Sequence, residues 1–131
     1  MDRPKVVVSY PFAESDWARE FADSLVKRGA DVWLDQFEVR AGEPIREAVE
    51  KGLRQSNLVV ALISSSSIRS PSFFFELGAA IGMGKRVVAI VPNDVDPSQL
   101  PLSLRNRRFI RKGTPEITAE ELVGAEIAPE P

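Results

Sequence analysis

Short runs of β-branched residues alternate with amphipathic stretches along most of the chain. Lys5–Tyr10 carries Val6-Val7-Val8, apolar at successive positions, the pattern of a parallel strand buried on both faces. Pro11 closes it. Across residues 14–28, Trp17, Ala18, Phe21, Ala22, Leu25 and Val26 recur at helical spacing. Lys27-Arg28-Gly29 then reads as a helix end, with cations at the negative pole and a residue free to adopt positive φ. Residues 31–35 form a second strand, followed by a polar loop over 36–42. Pro44 suits the first turn of a second helix whose buried stripe is Ile45, Ala48, Val49 and Leu53. Residues 58–63 are the most hydrophobic strand and belong at the sheet centre, ended by the serine run 64–67.

Ser70 caps the next helix, with Pro71 in its first turn and Gly78, Gly82 and Gly84 letting it lie close to the sheet. Arg86–Val91 is a fourth strand closed by Pro92, and 94–104 is a Pro-rich connection with one helical turn. Residues 107–110 make a short edge strand. Thr118 caps a last helix, with Glu121 at the reciprocal position and Leu122 and Val123 inward. Residues 126–131 read as a flexible tail or linker stub after one domain over 1–125.

This alternation predicts a three-layer α/β domain: a five-stranded parallel sheet, order 2-1-3-4-5 (flavodoxin-like), with helices on both faces. In that order the topology switches between the first and third strands, and ligands bind outside their C-terminal ends. Ser9, Tyr10 and Phe12 follow strand one there, and Ser64 follows strand three. Glu76 lies on the helix that leaves strand three, a single acid in an otherwise apolar helical pattern. A carboxylate in such a place must be partnered, neutralised or used.

Composition narrows the chemistry. The chain has no His and no Cys, which excludes Ser-His-Asp and Cys-His catalysis in their usual forms, His/Cys zinc sites and disulfides. One carboxylate among aromatic rings suits glycosyl-bond chemistry, where a positively charged sugar has to be stabilised. At 131 residues, 44% hydrophobic and 27% charged, the chain reads as one soluble domain. A net charge of −2 supplies no general field for nucleic acid, and no apolar run reaches membrane-spanning length. Met-Asp-Arg-Pro-Lys leads straight into a strand pattern without a signal peptide, so the expected location is the cytoplasm. The cluster Arg105, Arg107, Arg108, Arg111 and Lys112 reads as a solvated face.

Four segments in order resemble the Toll/interleukin-1 receptor (TIR) domain, most closely its bacterial branch. They are Val7-Val8-Ser9-Tyr10, Val32-Trp33-Leu34-Asp35, Arg40-Ala41-Gly42, and Ser70-Pro71 followed by Glu76-Leu77-Gly78-Ala79-Ala80 and Gly84-Lys85. The resemblance implies an NAD+ glycohydrolase in which Glu76 is catalytic. It cleaves the nicotinamide–ribose bond, and some members cyclise the ADP-ribose product. NAD+ is then the substrate, and neither a cofactor nor a metal is required.

It further implies activation by self-association with other TIR domains, partnership with a sensor domain or subunit, and a role as a bacterial defence effector. The flexible BB loop, here Phe37, Arg40, Ala41, Gly42 and Glu43, is the implied assembly element. Ser72 stands where catalytic members usually carry Trp, with Phe73 beside it to supply a ring, and Ala41 stands where the family has Pro.

On this reading Ser9, Tyr10, Phe12, Trp33, Asp35, Ser64, Ser72 and Phe73 contact substrate, and several have plainer alternatives. Trp33 reads either as a ring stacked on nicotinamide or adenine or as core. Ser9 and Ser64 read as donors to ribose or phosphate, or as simple strand ends. Asp35 guards the pocket mouth or begins the BB loop. Glu76 alternatively pairs with Arg69, Lys85 or Arg86. Two other functions fit parts of the pattern: a non-catalytic adaptor that signals by TIR–TIR assembly, and an enzyme like the nucleoside deoxyribosyltransferases, which share a similar glutamate-bearing helix.

Overall fold

The computed structural model describes residues 4–36, 58–65, 84–100 and 109–127. Five parallel strands form one sheet in the order β2-β1-β3-β4-β5, which is the predicted topology. They are β1 (Lys5–Tyr10), β2 (Asp31–Gln36), β3 (Leu58–Leu62), β4 (Arg86–Val91) and β5 (Phe109–Arg111). The described helices are α1 (Ser15–Lys27) and α2 (Pro115–Leu122), the latter continuing as a π turn through Ile127. The predicted second and third helices fall at 44–53 and 70–84, almost wholly outside the described residues.

Burial follows the sequence pattern. All five residues of β3 are buried, as are five of the six in β1 and in β4, so the continuous apolar runs occupy the sheet's interior. One face of the sheet presents Val6, Val8, Tyr10, Leu58, Val60, Leu62, Val88, Ile90 and Ile110 to Ala18, Phe21 and Leu25 of α1 and Ala119 and Leu122 of α2. Strand alternation puts Val7, Ser9, Val59, Ala61, Val87 and Ala89 on the opposite face, where they are equally buried.

Helix α1 ends as its sequence requires. Gly29 takes φ +101°, its N–H donates to Val26 O at 3.0 Å, and the Ala30 N–H reaches back to Leu25 O at 3.0 Å. This is a Schellman closure, and its apolar pair, Leu25 with Ala30, is fully buried. The helical turn expected in the connection after β4 is a 3-10 turn at Pro97–Gln99, where the Asp96 carboxylate accepts from Ser98 N–H at 2.9 Å.

Three expectations change. The last helix is capped by Thr114, whose Oγ1 accepts from Ile117 N–H at 3.2 Å with Pro115 in the first turn. Thr118 lies inside that helix, fully buried, and accepts the Gly113 N–H at 2.9 Å. The Thr118–Glu121 spacing mimics a capping box, but the Thr-Pro pair four residues earlier sets the helix start. The fifth strand is Phe109–Arg111, reaching one residue beyond the expected end. Of the basic cluster, Arg105, Arg107 and Arg108 lie outside the described residues; Arg111 is exposed as expected but bonded, and Lys112 is half-buried. Arg111 Nη1 donates to Pro92 O at 3.1 Å and Val95 O at 3.3 Å, while Lys112 pairs with Glu14.

Candidate functional site

Strands β1 and β3 are adjacent and parallel, with Ser9 opposite Ala61, and they leave the sheet in opposite directions. In a sheet of this order a ligand site is expected outside the C-terminal ends of these two strands. Ser9 is buried and sits opposite both Ala61 of β3 and Asp35 of β2. Phe12 and Ser64 each come three positions after the paired residues Ser9 and Ala61, just past the ends of neighbouring strands. Both serines make polar interactions within the fold.

Phe12 is the most exposed large apolar residue among those described, at 62%. The reason is local. Pro11 ends β1, and Phe12–Glu14 forms a 3-10 turn before α1, closed by Glu14 N–H to Pro11 O at 2.9 Å. The Ser15 hydroxyl donates to Phe12 O at 2.6 Å, fixing the backbone while the ring stays outside the core. An immobilised turn presenting an exposed ring beside a crevice is suited to stacking on a planar base, because the ring has already lost backbone freedom.

Trp33 is 39% exposed on the edge strand β2, opposite Val7 and on the sheet face away from α1. Val32 and Leu34 are the β2 residues that pack on the α1-side core, so any packing of Trp33 is on the opposite face. Tyr10 is 7% exposed within that same core, on the opposite face from Ser9. Asp35 holds the register position beside Ser9 at the end of β2. The site residues Glu76, Ser72 and Phe73 and the loop residues Phe37, Arg40, Ala41, Gly42 and Glu43 lie outside the described residues.

A second group was not foreseen from the sequence. Lys112 Nζ lies 2.9 Å from Glu14 Oε2 and 5.2 Å from the centre of the Trp17 ring. Trp17 Nε1 donates to Gly113 O at 3.1 Å and its ring stacks on Phe21 at 5.0 Å. This knot joins the turn that carries Phe12 to the end of β5. Its partners are almost a hundred positions apart, so no local spacing announces it.

A five-stranded parallel sheet in the order β2-β1-β3-β4-β5 defines a flavodoxin-like α/β domain. The family model of the TIR domain matches residues 6–123, and the chain belongs to that family. Among curated proteins it is 29% identical over 68 residues to the 2′ cyclic ADP-D-ribose synthase BtTIR of Bacteroides thetaiotaomicron, a match covering 52% of this chain and 24% of that protein. It is 33% identical over 52 residues to the NAD(+) hydrolase PdTIR of Paracoccus denitrificans, covering 40% of this chain and 17% of the relative. The matched segments thus span a quarter or less of these relatives' lengths. Among solved structures, the metazoan TIR-STING receptor from C. gigas in complex with 2′,3′-cGAMP superposes with a TM-score of 0.74 at 23% identity, covering 92% of this chain and 38% of the receptor. Among the described residues no helix is long and apolar enough to cross a membrane.

Proposed function

We propose that this domain cleaves the nicotinamide–ribose bond of NAD+, with Glu76 as the catalytic carboxylate. The observation that carries the reading is the strand order, which sets the C-terminal ends of β1, leading to Ser9 and the exposed Phe12, and of β3, leading to Ser64, side by side. The chain's similarity to proteins named as a cyclic ADP-ribose synthase and an NAD+ hydrolase supports it.

The chemistry suits these side chains. Nicotinamide is a good leaving group, so the barrier lies in an oxocarbenium-like ribose. A carboxylate facing that developing cation stabilises it more than it stabilises neutral ribose, and so lowers the barrier instead of merely tightening binding. In this reading Phe12 stacks on a base of the dinucleotide, Ser9 and Ser64 hydrogen-bond ribose or phosphate, and Trp33, Asp35, Ser72 and Phe73 complete the walls. Water or a ribose hydroxyl then captures the sugar at C1, giving ADP-ribose or a cyclic isomer. Self-association through residues 37–43 brings the domain to its active state.

The test is incubation of the purified protein with NAD+ at high protein concentration, with products resolved chromatographically. Nicotinamide appearing in step with ADP-ribose or its cyclic form is the expected result. Intact NAD+, even when the domains are clustered by fusion to an oligomeric scaffold, overturns the reading.

A further inference from the structure

We infer that Glu14 and Lys112 are positioning residues: their ion pair holds the Phe12–Glu14 turn, and therefore Phe12, in place at the crevice. The catalytic consequence rests on the NAD+ reading above, and the placement of the turn does not.

The argument begins with what each end is fastened to. Lys112 directly follows β5, and its own N–H donates to Val91 O at 3.0 Å, so its backbone extends the β4–β5 ladder. Its ammonium reaches Glu14 Oε2 at 2.9 Å and lies over the Trp17 ring, and the two charged side chains are only 20% and 27% exposed. The lysine is thus anchored to the sheet on one side and packed on an aromatic face on the other. Neither group is a free surface charge, and the rotamer entropy that weakens most exposed ion pairs has been largely spent on packing.

Glu14 is the last residue of the turn that Phe12 begins. The turn's own bonds, Glu14 N–H to Pro11 O and Ser15 Oγ–H to Phe12 O, fix its shape. Those bonds lie within the turn, whose flanks run into β1 and α1. The Glu14–Lys112 pair adds a side-chain tie from the turn to the end of β5. Phe12 is 62% exposed and outside the core cluster, so the pose of the turn bears on where its ring is presented. A ring held in one orientation binds a planar base without first being ordered, which appears in KM more than in kcat.

Glu14→Gln, Lys112→Met, Lys112→Arg and the double variant Glu14→Gln/Lys112→Met test this, with kcat and KM for NAD+ and amide hydrogen exchange measured on each. Glu14→Gln and Lys112→Met are expected to raise KM about two- to fivefold with kcat changed less, and to speed exchange at Glu14 and Ser15, whose N–H groups close the turn, relative to the middle of α1. The double variant should be no worse than either single change, and Lys112→Arg should restore both readouts because it keeps the cation on Trp17 and within reach of Glu14. A lower melting temperature with unchanged KM and unchanged exchange in the turn overturns the proposal, since the pair is then only a scaffold contact. If the wild-type protein leaves NAD+ intact, the functional reading fails alone, and exchange at Glu14 and Ser15 still decides whether the pair fixes the turn.

Discussion

The indole Nε1 of Trp17 donates to the carbonyl of Gly113 at 3.1 Å, joining the first turn of α1 to the segment that leads into α2. The same indole stacks on Phe21, one helical turn along, at an interplanar angle of 22°. Trp17 therefore has both an apolar and a polar task, and substitution separates them. Trp17→Phe keeps most of the ring contact and removes the donor. It is expected to cost about 1 kcal/mol, read as a lower urea midpoint at unchanged m-value. A midpoint equal to that of wild type would show that the hydrogen bond adds nothing to stability.

Thr118 carries the other half of this junction. Its hydroxyl is fully buried and accepts the Gly113 N–H at 2.9 Å. Thr118→Val preserves the volume and leaves that N–H without its acceptor, at an expected cost of about 1–3 kcal/mol. Thr118→Ser keeps the oxygen and should recover a large part of the loss. Equal destabilisation by Val and Ser would assign the effect to packing and not to the hydrogen bond.

Gly29 isolates a backbone effect, because a Cβ added there meets nothing within 4 Å and only its φ of +101° resists substitution. Gly29→Ala is expected to destabilise by about 1–2 kcal/mol, and Gly29→Asn by less, since Asn tolerates positive φ. Thermal unfolding ranks the three, and an Ala variant as stable as wild type would remove the constraint.

Asp96 supplies a pH signature. The Ser98 backbone N–H, and after it the Ser98 hydroxyl, hold its carboxyl below the usual aspartate value, with a smaller pull from the charge of Arg111 and a small opposing push from burial. A pKa depressed in the folded state gives a stabilising contribution that is complete above the unfolded value and disappears as pH falls through the folded one. NMR titration should place the Asp96 midpoint below those of ordinary aspartates, and Ser98→Pro should raise it by removing the backbone donor. A midpoint unchanged by that substitution would contradict the assigned cause.

The sheet was legible because parallel strands buried on both faces leave continuous apolar runs, and Val6-Val7-Val8 and Leu58–Leu62 are such runs. Their alternation with the α1 stripe was enough to order all five strands. The end of α1 was legible from Gly29, whose positive φ is a local requirement. The start of α2 was misread although Thr114-Pro115 signals it, because Thr118 and Glu121 offer a competing local pattern. Only tertiary burial of the Thr118 hydroxyl decides between them. Trp33 kept two readings because its exposure depends on β2 lying at the sheet edge. Glu14 and Lys112 were invisible as a pair, since helix and strand periodicities carry no information about a contact across the whole domain. At the candidate site, strand order alone sets the ends of β1 and β3, after which Phe12 and Ser64 follow, next to each other.

The central claim is that Glu76 breaks the bond between nicotinamide and ribose. The decisive measurement is nicotinamide release from NAD+ by wild type and by Glu76→Gln, at matched concentration and with matched melting temperatures. Loss of at least about a hundredfold in rate, without loss of fold, is predicted for a carboxylate that acts mainly in the transition state. Turnover by Glu76→Gln within a few-fold of wild type would contradict the account.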